Sequence, residues 1–143
     1  MSCIFCAIAA GEAPSTKVFE DETYVAFLDI RPITRGHTLV IPKQHAADLD
    51  DLDPEVGAGL FRLGHGIAKA MRRSDLAADG ANLVFNDGKA AFQTVPHAHL
   101  HVVPRRHGDL GRFVSGFVLR RSKDPQATAA AIRAGIERLE NEA

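Results

Sequence analysis

An α+β fold on an antiparallel sheet is what the 143-residue sequence predicts, and three features predict it. Short β-branched and aromatic runs are separated by polar turns too brief for a helical crossover, as in Lys17–Glu20 and Tyr24–Leu28 around Asp21-Glu22-Thr23. Two longer stretches carry helix starts followed by apolar residues at three- and four-residue spacing. Strands and helices are also grouped rather than alternating, which argues against a doubly wound nucleotide fold.

In chain order, the first two runs make a hairpin, and Pro32 and Gly36 punctuate the segment after it. His37–Ile41 reads as a third strand, ended by Pro42. Asp53-Pro54-Glu55 then combines a capping carboxylate, a proline at the first helical position and an acid in the first turn. Val56, Leu60, Leu63, Ile67 and Met71 follow on one face, so the helix runs to about Arg73. Gly57, Gly59, Gly64 and Gly66 weaken it, so it must lean on tertiary or subunit packing. Ala81–Phe85 is a fourth strand, stopped by Asn86-Asp87-Gly88, and Thr94–Val103 a fifth, ended by Pro104. Gly116–Leu119 suggests a short strand, and Pro125 to about Glu140 a second helix with Ile132, Ile136 and Leu139 inward.

This is the length of one domain with a core of its own. Seventeen basic residues against eighteen acidic give a net charge of -1, so nothing points to nucleic acid or a membrane surface as partner. No apolar run approaches the roughly 20 residues of a membrane-spanning helix, and Met1–Cys6 lacks the pattern of a secretory signal. The expected location is cytoplasmic.

Histidine carries the chemistry. There are seven, and three fall at alternating positions, His97, His99 and His101. On an extended strand they would line one face about 6–7 Å apart, with Ala98, Leu100 and Val102 turned to the core. A solvated row of histidines and a pure metal site are the plain alternatives. The catalytic reading uses a neutral ring as nucleophile, best placed at His99, and a charged neighbour as proton donor. Asn86, Gln93 and Thr94 supply amides and a hydroxyl where an oxyanion would sit. The other feature is Cys3-x-x-Cys6, half of a tetrahedral metal site, although two buried small hydrophobes or a redox pair would read the same way.

The run Gln93-Thr94-Val95-Pro96-His97-Ala98-His99-Leu100-His101-Val102-Val103-Pro104-Arg105 resembles the signature of the histidine triad (HIT) superfamily. Phe27–Pro32 and Gly36–His45 are similar to two further motifs of that family, and Asn86 falls where it has its amide. The resemblance covers roughly residues 3–106, leaving 107–143 as a C-terminal extension of a single 1–143 domain. It implies a five-stranded antiparallel sheet with two helices, dimerising into a continuous sheet. It also implies a hydrolase or transferase acting on purine nucleoside phosphoramidates or dinucleoside polyphosphates through a nucleotidyl-histidine intermediate, with no organic cofactor.

Carried over by position, His99 would be the nucleophile and His101 would contact the phosphate or leaving group, while the backbone near His97 would orient the His99 ring. Asn86, Gln93 and Thr94 would border the phosphate. Asp29 would bind the ribose hydroxyls, and Phe5, Ile8, Phe27 and Ile30 would form the purine slot; on spacing alone those four are simply core. In bacterial relatives with the cysteine pair, Cys3, Cys6, His45 and His97 would hold a structural zinc. One departure stands beside the triad: the family usually has glycine directly before the glutamine, where this chain has Phe92, which would crowd the leaving group. The tail inherits no role from the family. A nucleotide-binding regulatory or scaffold protein with little turnover, and a zinc-binding protein with no nucleotide site, are the competing readings.

Overall fold

A computed structural model describes residues 2–142. Five strands, β1 (Lys17–Glu20), β2 (Tyr24–Leu28), β3 (Thr38–Pro42), β4 (Gly80–Phe85) and β5 (Leu100–Arg105), form one sheet. Their order is β1-β2-β3-β5-β4, and every neighbouring pair is antiparallel. The helices are α1 (Ile4–Ala9), α2 (Pro54–Arg72), α3 (Leu110–Leu119) and α4 (Pro125–Asn141).

The expected hairpin is present, its turn tied by Asp21 Oδ1, which accepts from the backbone N–H groups of Thr23 and Tyr24 at 2.8 and 2.7 Å. Helix α2 starts as its sequence predicts, with Asp53 Oδ1 accepting from Glu55 N–H at 2.8 Å. Alternation along the strands separates two apolar layers. Ala26, Leu28, Val40, Leu100 and Val102 pack with Leu60, Ile67 and Met71 of α2 and with Ala129 and Ile132 of α4. On the opposite face Val25, Phe27, Leu39 and Ile41 pack with Phe5 and Ile8 of α1. The sheet is thus covered on both sides, which is why β2 and β3 are nearly buried throughout. The glycines of α2 have a cause inside the chain: a Cβ on Gly64 would lie 2.5 Å from Leu100 Cδ2, and one on Gly59 would collide with the Tyr24 hydroxyl. Close approach of α2 to its own sheet, rather than a partner subunit, accounts for these two positions.

Two expectations fail. Strand β5 begins only at Leu100, so just one histidine of the triad lies in it. Pro96 has no N–H to donate, and Ala98 N–H bonds the loop carbonyl of Ala46 at 2.7 Å, so the chain before Leu100 leaves the sheet ladder. At the other end β5 runs through Pro104 to Arg105, because pairing with β3 stops at Val102 and Pro104 faces only β4 there. The second correction is at Gly116–Leu119, which is helical. Phe113 and Phe117, four apart, stack edge to face at 5.1 Å along one side of α3, a helical period that the short apolar run concealed.

Candidate active site

A cavity of about 1240 Å³ opens on the α1 face of the sheet. Phe5, Ile8 and Phe27 form its apolar wall and are buried, whereas Ile30 stands on the rim, 80% exposed. Asp29, Asn86, Thr94, His99 and His101 also border it. Gln93 does not. Its Nε2 donates to the carbonyls of Ala47 and Val95 at 2.7 and 2.9 Å, and its Oε1 accepts from Gly88 N–H at 2.7 Å. The amide that sequence reasoning put at an oxyanion instead braces the loop ahead of the histidines.

Hydrogen bonds fix the proton on each ring. His99 Nδ1 lies 2.7 Å from the His97 carbonyl, and a carbonyl only accepts, so Nδ1 carries the proton. The lone pair is therefore on Nε2. Phe5 supports the ring edge-on at 5.2 Å. Burial, opposed by the bond to His97 and by the Asp29 charge, lowers the His99 pKa, which favours the neutral, nucleophilic form.

The same reasoning runs through His37, to which the sequence alone gave no role. Ile33 N–H donates to His37 Nδ1 at 3.0 Å, so the His37 proton sits on Nε2, 2.9 Å from His101 Nδ1. His101 must accept there and, when neutral, carries its own proton on Nε2. A backbone N–H thus dictates the tautomer of a ring two bonds away. Burial, reinforced by the Arg120 charge and by His99, holds His37 down to about 3. Burial, then the neighbouring His37 and His99, holds His101 at about 4. The signal for His37 was its place directly ahead of the apolar run Leu39-Val40-Ile41. Asp29 stands beside this chain: Oδ1 accepts from Arg31 N–H at 2.9 Å, and Oδ2 is 3.6 Å from His37 Nε2 and 3.9 Å from Arg120. Arg120, Phe113 and Phe117 bring the C-terminal segment into the cavity wall, a contribution that family resemblance gave no means of finding.

Phe92 is 83% exposed at the rim with φ +68°, in the left-handed region where glycine is at ease. The position wants glycine for backbone reasons, and a phenylalanine holds it under strain.

His97 points away from this cavity. Its Nε2 donates to the Pro42 carbonyl at 2.8 Å, leaving the Nδ1 lone pair aimed at three neighbours. Nδ1 is 3.4 Å from Cys3 Sγ, 3.6 Å from Cys6 Sγ and 3.2 Å from His45 Nδ1, and Cys6 Sγ is 3.3 Å from His45 Nδ1. These are four of the six edges of a tetrahedron. Bonds of about 2.3 Å to sulfur and about 2.0–2.1 Å to nitrogen at tetrahedral angles give nitrogen–nitrogen and nitrogen–sulfur edges of about 3.3–3.6 Å. The donor set and its spacing fit a zinc ion, and the Pro42 carbonyl orients His97 as a ligand's second ring nitrogen requires. The cysteines are free thiols rather than a disulfide, and Cys3 Sγ also caps α1 by accepting from Cys6 N–H at 3.4 Å.

The chain matches the family model for the HIT domain over residues 10–108. A HIT-like protein of Mycobacterium tuberculosis is 52% identical over 136 residues, covering 95% of this chain and 94% of that one. The adenosine 5'-monophosphoramidase of Schizosaccharomyces pombe is 40% identical over 111 residues, 78% of this chain and 80% of that one. Among solved structures, a zinc-bound histidine triad family protein from Mycobacterium smegmatis superposes with a TM-score of 0.91 at 52% identity, covering 100% of this chain and 99% of its own. The histidine geometry, the five-stranded sheet and these likenesses converge, and the chain belongs to the HIT family.

Proposed function

We propose that the protein is a nucleotide hydrolase or transferase whose substrates are purine nucleoside phosphoramidates or dinucleoside polyphosphates. The observation that carries this reading is the His99 ring, held by the His97 carbonyl through Nδ1 with its Nε2 lone pair free beside a second ordered imidazole. His99 Nε2 attacks the α-phosphorus, and the bond from phosphorus to the leaving group breaks with its electron pair going to the leaving atom. His101 Nε2–H supports the departing group, with its tautomer set by His37. Water then cleaves the nucleotidyl-histidine and regenerates the ring. Phe5, Ile8, Phe27 and Ile30 take the purine, Asp29 accepts from the ribose hydroxyls, and Asn86 and Thr94 border the phosphate. The phosphoramidase name of the yeast relative supports the substrate class.

Incubation with adenosine 5'-phosphoramidate followed by rapid acid quench and mass spectrometry should reveal an adenylyl adduct on His99. His99→Ala should abolish turnover and keep nucleotide binding within about tenfold, about 1.4 kcal/mol. A regulatory binder would give no adduct, and turnover above a few per cent in His99→Ala would exclude His99 as nucleophile.

Cys3, Cys6, His45 and His97 hold a structural zinc in this reading. The metal would neutralise two thiolates and tie α1 to the loop that carries His97, with no part in turnover. The zinc-bound mycobacterial structure supports it. We place the whole chain in one domain, because α4 shares the core of α2 and the sheet. In this reading the protein is a homodimer, which the outer edge of β4, where Val84 is 44% exposed, and the nearby α2, where Phe61 is 57% exposed, support. Light scattering that finds a monomer at micromolar concentration would rule the dimer out. No helix among the described residues is long and apolar enough to cross a membrane.

A further inference from the structure

A second cavity, of about 610 Å³, lies behind the first. The two share Leu28, Asp29, Ile33 and Arg120 as a common wall. The second is bordered by Arg35, Arg112, Arg120, Arg121 and Lys123, against only two carboxylates, Asp29 and Asp124. Five cations around one hollow are not the background of this chain, whose net charge is -1.

Of these five, Arg120 is paired with Asp29 at 3.9 Å and Arg35 donates through Nε to Thr128 Oγ1 at 2.8 Å, and the rest are not spent elsewhere. Arg73, Arg105 and Arg138 are paired with Glu142, Asp109 and Asp75. Among the described residues Arg35, Arg112, Arg121 and Lys123 form no salt bridge. Both carboxylates are already engaged: Asp29 accepts from Arg31 N–H, and Asp124 caps α4 by accepting from Ala127 N–H at 3.3 Å.

The hollow is also built. A Cβ on Gly116 would collide with the Ile33 carbonyl, so the backbone of α3 lies directly against the turn that carries Asp29 and His37. Arg120 and Asp124 both hold left-handed backbone conformations, φ +41° and +47°, which non-glycine residues adopt only when their surroundings impose them. Arg120 is further anchored by donating through Nε to the Arg31 carbonyl at 2.9 Å.

We propose that this cavity is a phosphate-binding site. Its volume suits a phosphate group with part of a small molecule rather than a duplex or a peptide helix, and guanidinium forks match phosphate oxygens. Two sources of phosphate share this chemistry. One is a nucleotide in the histidine pocket that also carries a phosphate on its ribose, which would pass from Asp29 across the common wall; this arm rests on the ribose contact proposed above. The other is free inorganic phosphate or polyphosphate, which needs no nucleotide.

Calorimetric titration of the full chain distinguishes them. The probes are inorganic tripolyphosphate, adenosine 5'-monophosphate and adenosine 3',5'-bisphosphate. The variant is Arg112→Gln/Arg121→Gln/Lys123→Gln, three exposed side chains outside the histidine pocket, with Arg120 left in place. Its melting temperature should match wild type, and Arg121→Gln/Lys123→Gln serves if it does not. Tripolyphosphate should bind wild type and lose at least tenfold in the variant. If ribose phosphate is the source, the bisphosphate should bind wild type at least tenfold more tightly than the monophosphate, and the variant should erase that preference without weakening the monophosphate. Unchanged affinity for both tripolyphosphate and bisphosphate would overturn the proposal. If the monophosphate binds neither protein, the nucleotide reading fails, and the tripolyphosphate arm still decides the cavity.

Discussion

Two histidines held neutral in the native state make acid sensitivity a quantitative expectation. His37 is fully buried with a pKa of about 3, and His101, beside it, has one of about 4. In the unfolded chain both return to about 6.5. A folded pKa below the unfolded one means that the unfolded chain binds more protons at acid pH, so stability is fully present above about pH 6.5 and is lost as pH falls below it. Between pH 7 and pH 5 each histidine should remove about 2 kcal/mol, about 4 kcal/mol for the pair. His37→Gln tests this. Glutamine offers an acceptor for Ile33 N–H and a donor for His101 Nδ1 but does not titrate. Urea unfolding followed by circular dichroism at pH 7, 6 and 5, at constant ionic strength, should show the variant losing about 2 kcal/mol less than wild type over that range. Protonation of the cysteine–histidine cluster contributes equally to both proteins and cancels in the difference. Equal losses, within about 0.5 kcal/mol, would mean that His37 is not held neutral and that the tautomer chain to His101 is wrongly drawn.

Freshly purified protein should contain close to one equivalent of zinc, and Cys3→Ser or Cys6→Ser should lose both the metal and much of the thermal stability, because binding energy at such a site is folding energy. Elemental analysis below about a tenth of an equivalent in chelator-free buffer would end the zinc assignment. Gly64→Ala should destabilise by about 1–3 kcal/mol, since its Cβ would press on Leu100, whereas Gly66→Ala, facing open space in the same helix, should stabilise by about 0.5–1 kcal/mol. Thermal melts that give both changes the same sign would contradict the close contact of α2 with β5. Phe92→Gly should raise stability by up to about 1 kcal/mol by relieving the left-handed backbone, and should improve kcat/KM for bulky leaving groups more than for ammonia. A stability loss there would show that the exposed ring contributes packing after all.

The sequence made the sheet legible because alternation and turn chemistry are local. Asp21 and Asp53 act within three residues of themselves, so their hairpin and cap were readable without any tertiary knowledge. The histidine run was legible as chemistry but not as geometry. Strict alternation suggested one face, and Phe5 does meet both His97 and His99, but Pro96 and the Ala46 carbonyl take the chain out of the ladder, so that His97 reaches the cysteines while His99 and His101 border the cavity. That path matters, because it separates the proposed metal ligand from the proposed nucleophile two residues away.

What sequence could not reach was non-local. His37 is merely the residue ahead of β3 until β3 and β5 pair and set Leu39 opposite His101, which brings His37 Nε2 within 2.9 Å of His101 Nδ1. Arg120 lies 91 residues from Asp29, in a tail with no inherited role, and reaches it only because Gly116 lets α3 lie against Ile33. In both cases the decisive contact follows from backbone packing: a register in one, a missing side chain in the other. The C-terminal segment, the part least legible from family resemblance, is thus the part that closes one side of the histidine cavity and builds the basic hollow behind it.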